Sequence, residues 1–395
     1  MKRITRRGFL KTGIAGAGMM AIPPAMASVA LSVQEQNVVY RTLGKTGIKV
    51  PVISFGVMRS DNPGLCKAAH EKGIKLFDTA NGYMNGNNEL MLGNLFRGIK
   101  RDSFFLATKV KPERASDGSP NDQTSAQKFL EMFNTSLSRL QMDYVDILYV
   151  HDVSNPELIT YKPLINAVLN IKKEGKAKFI GFSTHKNEPA MINAAADSDI
   201  WDVILTQYNY RQAYVAEMNT AIKKAGAAGI GIVAMKTLAG GGFLDRERTK
   251  PMNTTAAIKW VLSNPDVSTV IPGMTSFDQL DLNAKILTDI SLTDKEKQDL
   301  IAASSEPGLL CSGCQQCLAE CPFNLPVPDF MRAYMYAYGY SMPSMAQDLL
   351  GELGIKENPC SQCETCKVRC SRNFDLKEKI ADISRLVNIP NDFLA

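Results

Sequence analysis

Eight of the nine cysteines in this chain fall into two runs, Cys311-x2-Cys314-x2-Cys317-x3-Cys321-Pro322 and Cys360-x2-Cys363-x2-Cys366-x3-Cys370. Cysteines three apart in one tight loop seldom meet the Cα separation and vector geometry of a disulfide, so two such runs make a disulfide framework strained. Zinc is the second alternative, but it usually takes paired C-x2-C knuckles or mixed Cys/His ligands. Three cysteines spaced C-x2-C-x2-C wrap one 4Fe-4S cubane, and a fourth standing before proline reaches a second. The spacing predicts two cysteine-ligated 4Fe-4S clusters in segment 300–395.

By the cross-ligation rule of two-cluster ferredoxins, one cluster takes Cys311, Cys314, Cys317 and Cys370, and the other Cys360, Cys363, Cys366 and Cys321. Two features differ from small bacterial ferredoxins: Ser371 replaces the second proline, and thirty-eight residues separate the runs. Asp329 to Tyr338, Ser344 to Leu353 and Leu376 to Val387 have helical spacing. The tail therefore resembles the α-helical ferredoxin type more than the compact hairpin type.

The formal net charge of +5 is unevenly placed. Five of the 45 basic residues, Lys2, Arg3, Arg6, Arg7 and Lys11, precede Glu35, the first acidic residue, and the remaining 40 match the 40 acidic ones. No basic stripe argues for nucleic acid. Thr5-Arg6-Arg7-Gly8-Phe9-Leu10-Lys11, a weakly apolar Gly/Ala/Met stretch and Ala25-Met26-Ala27 together resemble a twin-arginine export signal over residues 1–33, cleaved near 27. The leader implies a periplasmic or otherwise exported protein, with the twin-arginine export machinery as a partner. Glycines and Pro23-Pro24 break the apolar stretch, so it reads as removed, and no stable membrane anchor is expected. That route is understood to carry folded proteins, which suits a chain whose metal centres are assembled in the reducing cytoplasm.

Across residues 37–295, short apolar runs alternate with amphipathic segments, the pattern of parallel strands buried on both faces and joined by helices. Eight strands are expected: Val52 to Phe55, Ile74 to Asp78, Phe104 to Lys109, Tyr144 to His151, Phe179 to Ser183, Val203 to Gln207, Ile230 to Met235 and Thr269 to Gly273. Helices such as Ser125 to Arg139, Tyr214 to Ala227 and Thr254 to Asn264 lie between them. The fold class is α/β, a (β/α)8 TIM barrel followed by the small α-helical ferredoxin-like domain. An open doubly wound sheet would normally offer a G-x-G-x-x-G fingerprint after its first strand, and Phe55-Gly56-Val57-Met58 has none. Active sites of such barrels lie at the carboxyl ends of the strands, which here carry Asp78, Lys109, His151, Ser183, Gln207, Met235 and Gly273.

Asp78-Thr79-Ala80-Asn81-Gly82-Tyr83, Ala107-Thr108-Lys109, Leu148-Tyr149-Val150-His151 and Ile271-Pro272-Gly273 resemble the aldo/keto reductase family, roughly from Tyr40 to Asn283. The resemblance implies a catalytic tetrad in which Tyr83 is the general acid, Lys109 lowers its pKa, Asp78 pairs with Lys109 and His151 orients the carbonyl. It implies hydride from a reduced nicotinamide, NADP(H) or NAD(H), across the barrel mouth. Ser183 and Gln207 stand where the family holds the carboxamide, with Thr184 in place of the usual Asn. Met235 replaces the stacking tyrosine and is followed by Lys236. Gly273 and Gln279 stand where many members carry cations for the 2′-phosphate, and a neutral Gln lacks a guanidinium's bidentate grip. Asn283 is retained where adenine is commonly contacted. His185 lies near the same rim, facing either the site or solvent, and Cys66 reads as a small buried apolar residue.

The leading expectation is an oxidoreductase acting on a small carbonyl or alcohol substrate through Tyr83, with two 4Fe-4S clusters for electron transfer. The alternative is an exported iron-sulfur electron-transfer protein whose barrel no longer uses soluble nicotinamide and which hands electrons to a redox partner protein. A purely structural role for the clusters is a third reading.

Overall fold

In the computed structural model, residues 37–394 are described, apart from 116, 239–244, 248, 307 and 310. The expected leader lies outside the described residues, and among these no helix is long and apolar enough to cross a membrane.

Val145 to Val150 is buried at every position, and such a run can only be covered on both faces. It forms β6 of an eight-stranded parallel sheet whose order follows the chain, β3 (Phe55–Gly56), β4 (Leu76–Asp78), β5 (Phe105–Val110), β6 (Val145–Val150), β7 (Ala177–Thr184), β8 (Val203–Gln207), β9 (Gly231–Met235) and β10 (Val267–Val270). The two edges meet through a parallel bridge between Ile53 and Val270, with Ser54 N–H donating to Val270 O at 2.8 Å and Val270 N–H to Val52 O at 3.0 Å. That closes the barrel and leaves no edge to cover. Helices lie outside. One is α3 (Ala126–Leu140), whose N-cap Ser125 accepts from Lys128 N–H and whose Phe129 and Phe133 face inward.

The first and last strands depart furthest from the sequence reading. The first strand is shorter and later than Val52 to Phe55, and the last stops at Val270. Pro272 has no N–H for the ladder, so Ile271-Pro272-Gly273 leaves the sheet as a loop at the mouth.

An antiparallel hairpin, β1 (Tyr40–Thr42) and β2 (Lys49–Pro51), was not anticipated. Its turn packs Leu43 and Val50 into the barrel interior with Leu76, Ile147, Val203 and Val233. The approach is backbone on backbone: Gly44 has φ +51°, and a Cβ there would lie 2.3 Å from Gly231 N.

The tail builds its own core from α11 (Val327–Tyr334), α12 (Pro343–Glu352) and α13 (Leu376–Ser384), around Phe330, Ala346, Leu350 and Ile383. The helix expected through Tyr338 changes at Met335 into a π-helical turn, Met335–Gly339, in which Tyr340 N–H donates to Met335 O. Helix α9 (Asp294–Ser305), with a Thr293/Glu296 capping box, runs across the join expected between 295 and 300. Barrel and tail form one compact unit from Val39 onward. Lys111 meets Glu352 at 2.7 Å, Lys186 meets Asp329 at 3.0 Å, Arg59 donates to Tyr340 O at 2.7 Å, and Ala213 N–H donates to Ser312 O at 3.1 Å. The tail therefore sits on the barrel's carboxyl-end mouth.

Gly44→Ala should lower the stability of the whole chain by roughly 2 kcal/mol or more, because both the left-handed backbone and the contact oppose a methyl group. Denaturant midpoints of wild type and variant measure it, and unchanged midpoints would show that the hairpin does not depend on this approach.

Candidate active site and cysteine loops

Parallel pairing sets Asp78, Lys109 and His151 at the ends of three adjacent strands. Asp78 closes β4 opposite Ala107, Lys109 lies opposite Tyr149, and His151 follows β6 directly. The Lys109 ammonium forms an ion pair with Asp78, donates to Thr79 O at 2.6 Å and reaches Tyr83 Oη at 3.3 Å. Tyr83 stands on a tight turn in which Met84 and Asn85 take left-handed backbone. Asn81 pins that turn to the outer helix, donating to Met132 O and Ser136 Oγ at 3.0 Å. The Tyr83 and His151 rings meet edge-on with centroids 5.8 Å apart. All four residues of the expected tetrad converge.

The electrostatics differ from the family expectation. Burial, reinforced by the charges of Asp78 and Asp152, pushes the Tyr83 phenol well above its ordinary value instead of below it. The Lys109 ammonium, paired with Asp78, stands 3.3 Å from that hydroxyl. Burial lowers Lys109 and raises Asp78, and their attraction opposes both shifts. The resting phenol keeps its proton and is a donor. Burial, then the Lys109 charge, holds His151 well below its usual range, so this imidazole is neutral.

Tetrad, Ser183, Met235, Lys236, Gly273, Gln279 and Asn283 line one cavity of about 480 Å³. Gln207 does not. It lines a separate cavity of about 110 Å³ together with Cys311, and His185, Lys236 and Arg332, which border both cavities, stand between them. Ser183 and Gln207 lie near the ends of the neighbouring strands β7 and β8. Ser183 Oγ also accepts Asp152 N–H at 2.9 Å, and Gln279 Oε1 accepts Thr275 N–H at 2.8 Å.

The sequence reading left out the tail's share of the cavity: Arg332, Tyr336, Tyr340, Met345, Leu349 and Glu352 all line it. The alternating Tyr334, Tyr336, Tyr338 and Tyr340 were a visible signal, but not of where they point. His185 faces the site. Its Nε2 donates to Asp152 Oδ1 at 2.9 Å, and its Nδ1 accepts from Arg332 Nη1 at 2.9 Å. An arginine only donates, so Nδ1 carries no proton and the ring is neutral. Arg332 also meets Asp329 at 3.1 Å, and Arg114 meets Asp152 at 2.8 Å. Although burial alone would raise it, the neighbouring His185, Arg332 and Arg114 hold the Asp152 carboxyl well below the usual range. Cys66 is buried and its thiol pushed up to about 12 by desolvation.

In the tail, Cys311, Cys314, Cys317 and Cys370 border one small cavity, and the charge of Cys370 acts on Cys311. Cys360 feels Cys363, Cys366 and Cys321. The grouping is three from one run and one from the other, twice. None of the eight cysteines is paired in a disulfide, and among the described residues no three of them converge as ligands of a single metal ion do. An all-thiolate cradle of four, spread around a cavity, fits a cubane.

Comparisons with known proteins agree with both halves. The aldo/keto reductase family model matches residues 57–256, and a 4Fe-4S dicluster domain model matches residues 310–375. The chain is 26% identical over 310 residues to L-galactose dehydrogenase of Arabidopsis thaliana, covering 68% of this chain and 94% of the relative. It is 32% identical over 171 residues to a putative voltage-gated potassium channel subunit beta of Schizosaccharomyces pombe, covering 40% and 48% of the two chains. An aldo-keto reductase from Bacillus halodurans, solved in its holo form, superposes with a TM-score of 0.54 at 25% identity, covering 67% of this chain and 96% of that one.

His185 has its pKa brought down to about 4, by burial first and then by Lys236. Its folded value lies below its unfolded one, so the unfolded chain binds the extra proton and stability falls as pH drops below about 6.5. Acidification from pH 7 to pH 5 should cost roughly 2 kcal/mol through this residue. Melting curves should show that pH-dependent component shrinking in His185→Gln, and equal pH slopes for both proteins would remove His185 as its origin.

Proposed function

Because this chain belongs to the aldo/keto reductase family, we propose that it interconverts a carbonyl and an alcohol, with Tyr83 donating and accepting the proton. It is an oxidoreductase carrying a 4Fe-4S dicluster domain behind its barrel. The observation that carries the assignment is the convergence of Lys109, Asp78, Tyr83 and His151 in one cavity. A reduced nicotinamide, when bound, supplies the hydride.

The chain's own residues do the rest. Neutral His151 offers an N–H to the carbonyl oxygen and fixes its orientation. Tyr83, protonated at rest, gives its proton to that oxygen as negative charge develops there. The phenolate left behind lies 3.3 Å from the Lys109 ammonium, which is where a cation stabilises it. Tail residues Tyr336 and Tyr340 cover the mouth and keep bulk water from the exchange. At the nucleotide end, Asn283 suits adenine, while Gly273 and Gln279 bring no cation for a 2′-phosphate, which favours NAD(H) over NADP(H). In the tail, each set of four cysteines would hold one cluster and supply one-electron chemistry. We read the leader as an export signal, so the mature protein works in the periplasm or beyond and exchanges electrons with a redox partner protein.

A second reading rests on the lack of a cation at Gly273 and Gln279 and on the tail residues that line the mouth: the barrel has given up soluble nicotinamide. Titration with NADH and NADPH decides between them, since tight binding of either excludes the second reading.

Tyr83→Phe should lower turnover by about 10²–10⁴-fold with dinucleotide affinity unchanged. Steady-state kinetics beside a binding titration reads both, and full activity in this variant would end the assignment. Cys314→Ser/Cys370→Ser should retain about four irons per chain, whereas Cys314→Ser/Cys321→Ser should lose nearly all iron. Equal iron contents in the two double variants would disprove the crossed ligation.

A further inference from the structure

The tetrad accounts for one side of the barrel–tail cavity. On the side nearest β7, two cations face the same space and the proposed reaction leaves them unused.

Lys236 follows β9 directly and takes φ +54°, left-handed backbone that a non-glycine residue enters only when the surroundings hold it there. Its ammonium has the Tyr336 ring at 5.5 Å and, among the described residues, neither a hydrogen-bond acceptor nor a carboxylate within salt-bridge distance. Burial, reinforced by the Arg332 charge, brings it down to about 7. Arg332 comes from α11 in the tail. Its two terminal nitrogens are committed to His185 and Asp329, while Nε is buried without a partner. The nearby carboxylates are otherwise engaged. Asp152 is held by His185 and Arg114, Asp329 by Lys186 and Arg332, and Glu188, raised by burial, by the Tyr214 hydroxyl at 2.8 Å. Two cations side by side, one with an unpaired ammonium and one with an unpaired N–H, are destabilising until an anion enters between them.

We propose that Lys236 and Arg332 form an anion subsite for the carboxylate of the substrate, so that the molecule transformed at Tyr83 is a small oxo- or hydroxycarboxylate. This rests on the assignment of Tyr83 made above. The subsite belongs to substrate and not to dinucleotide because of where the ammonium lies. Its neighbours Asp152 and Glu188, with the neutral His185, are on the β7 side, whereas Gly273, Gln279 and Asn283, the nucleotide end, are beyond β10. Arg332 is linked through His185 to Asp152, the residue after His151, and all of them line the cavity that holds Tyr83. Lys236 is supplied by the barrel and Arg332 by the tail, which makes the docked tail a determinant of specificity.

The test uses the full, cluster-loaded chain carrying Tyr83→Phe to stop turnover, with calorimetric titration of pyruvate, levulinate and their methyl esters. At least one acid should bind about tenfold or more tighter than its ester, the ratio expected of a charge-assisted contact. Lys236→Met should bring that ratio close to one, and Lys236→Arg should keep most of it. The conservative variant distinguishes loss of charge from loss of fold. Equal binding of acid and ester, binding of neither acid, or a ratio unmoved by Lys236→Met overturns the proposal. So does weakened dinucleotide binding in Lys236→Met with the ratio intact, which would give Lys236 to the pyrophosphate. The Tyr83 assignment fails separately, if Tyr83→Phe turns over like wild type while the acid-to-ester ratio persists.

Discussion

Two opposite charges, Asp78 and Lys109, are taken out of water at the ends of neighbouring strands, and each is tolerable there only because the other is present. Burying either alone would cost several kcal/mol. The pair is held by the ladder that places β4 beside β5, and the ladder is rigid because the barrel closes through Ile53 and Val270. Tyr83 depends on this arrangement twice. Its turn hangs from Lys109 O through the Asn81 N–H, and its hydroxyl lies against the Lys109 ammonium. Burial, with the charges of Asp78 and Asp152, decides the resting state of Tyr83.

The tail changes what the barrel mouth is. A cluster-binding domain could have hung from a linker, yet helix α9 carries the chain straight across the join, and a chain of polar contacts from Arg114 through Asp152, His185 and Arg332 to Asp329 and Lys186 fastens the two parts. Each buried charge in that chain has an opposite or dipolar partner, which is the condition for keeping such groups in a low-dielectric interior. The π turn at Met335–Gly339 adds a residue to one turn of helix and so changes the phase of the side chains that follow, placing Tyr336 and Tyr340 in the cavity. The same docking brings Cys311 to the wall of the small cavity that holds Gln207. Barrel chemistry and cluster chemistry are thus neighbours.

Much of this was legible in the chain. Strand ends could be named because a run such as Ile147 to Val150 terminating in His151 is informative wherever it occurs, and the convergence of the tetrad followed from the barrel. The hairpin at Tyr40–Pro51 was missed because each strand has only three residues, too few to show alternation. Arg332 was missed because a lone arginine on an amphipathic helix reads as solvated until something packs over it.

The sequence alone determined the things that depend on neighbours along the chain: how many thiolates each loop offers, which runs are apolar enough to be inner strands, and which residue each strand delivers to the mouth. Spacing and alternation are short-range properties, and they are complete in the residues themselves. Only the tertiary structure decided the upward shift of the Tyr83 phenol and the entry of the tail into the cavity. Those are set by desolvation and by charges brought together from distant parts of the chain, and neither quantity exists until the chain has folded.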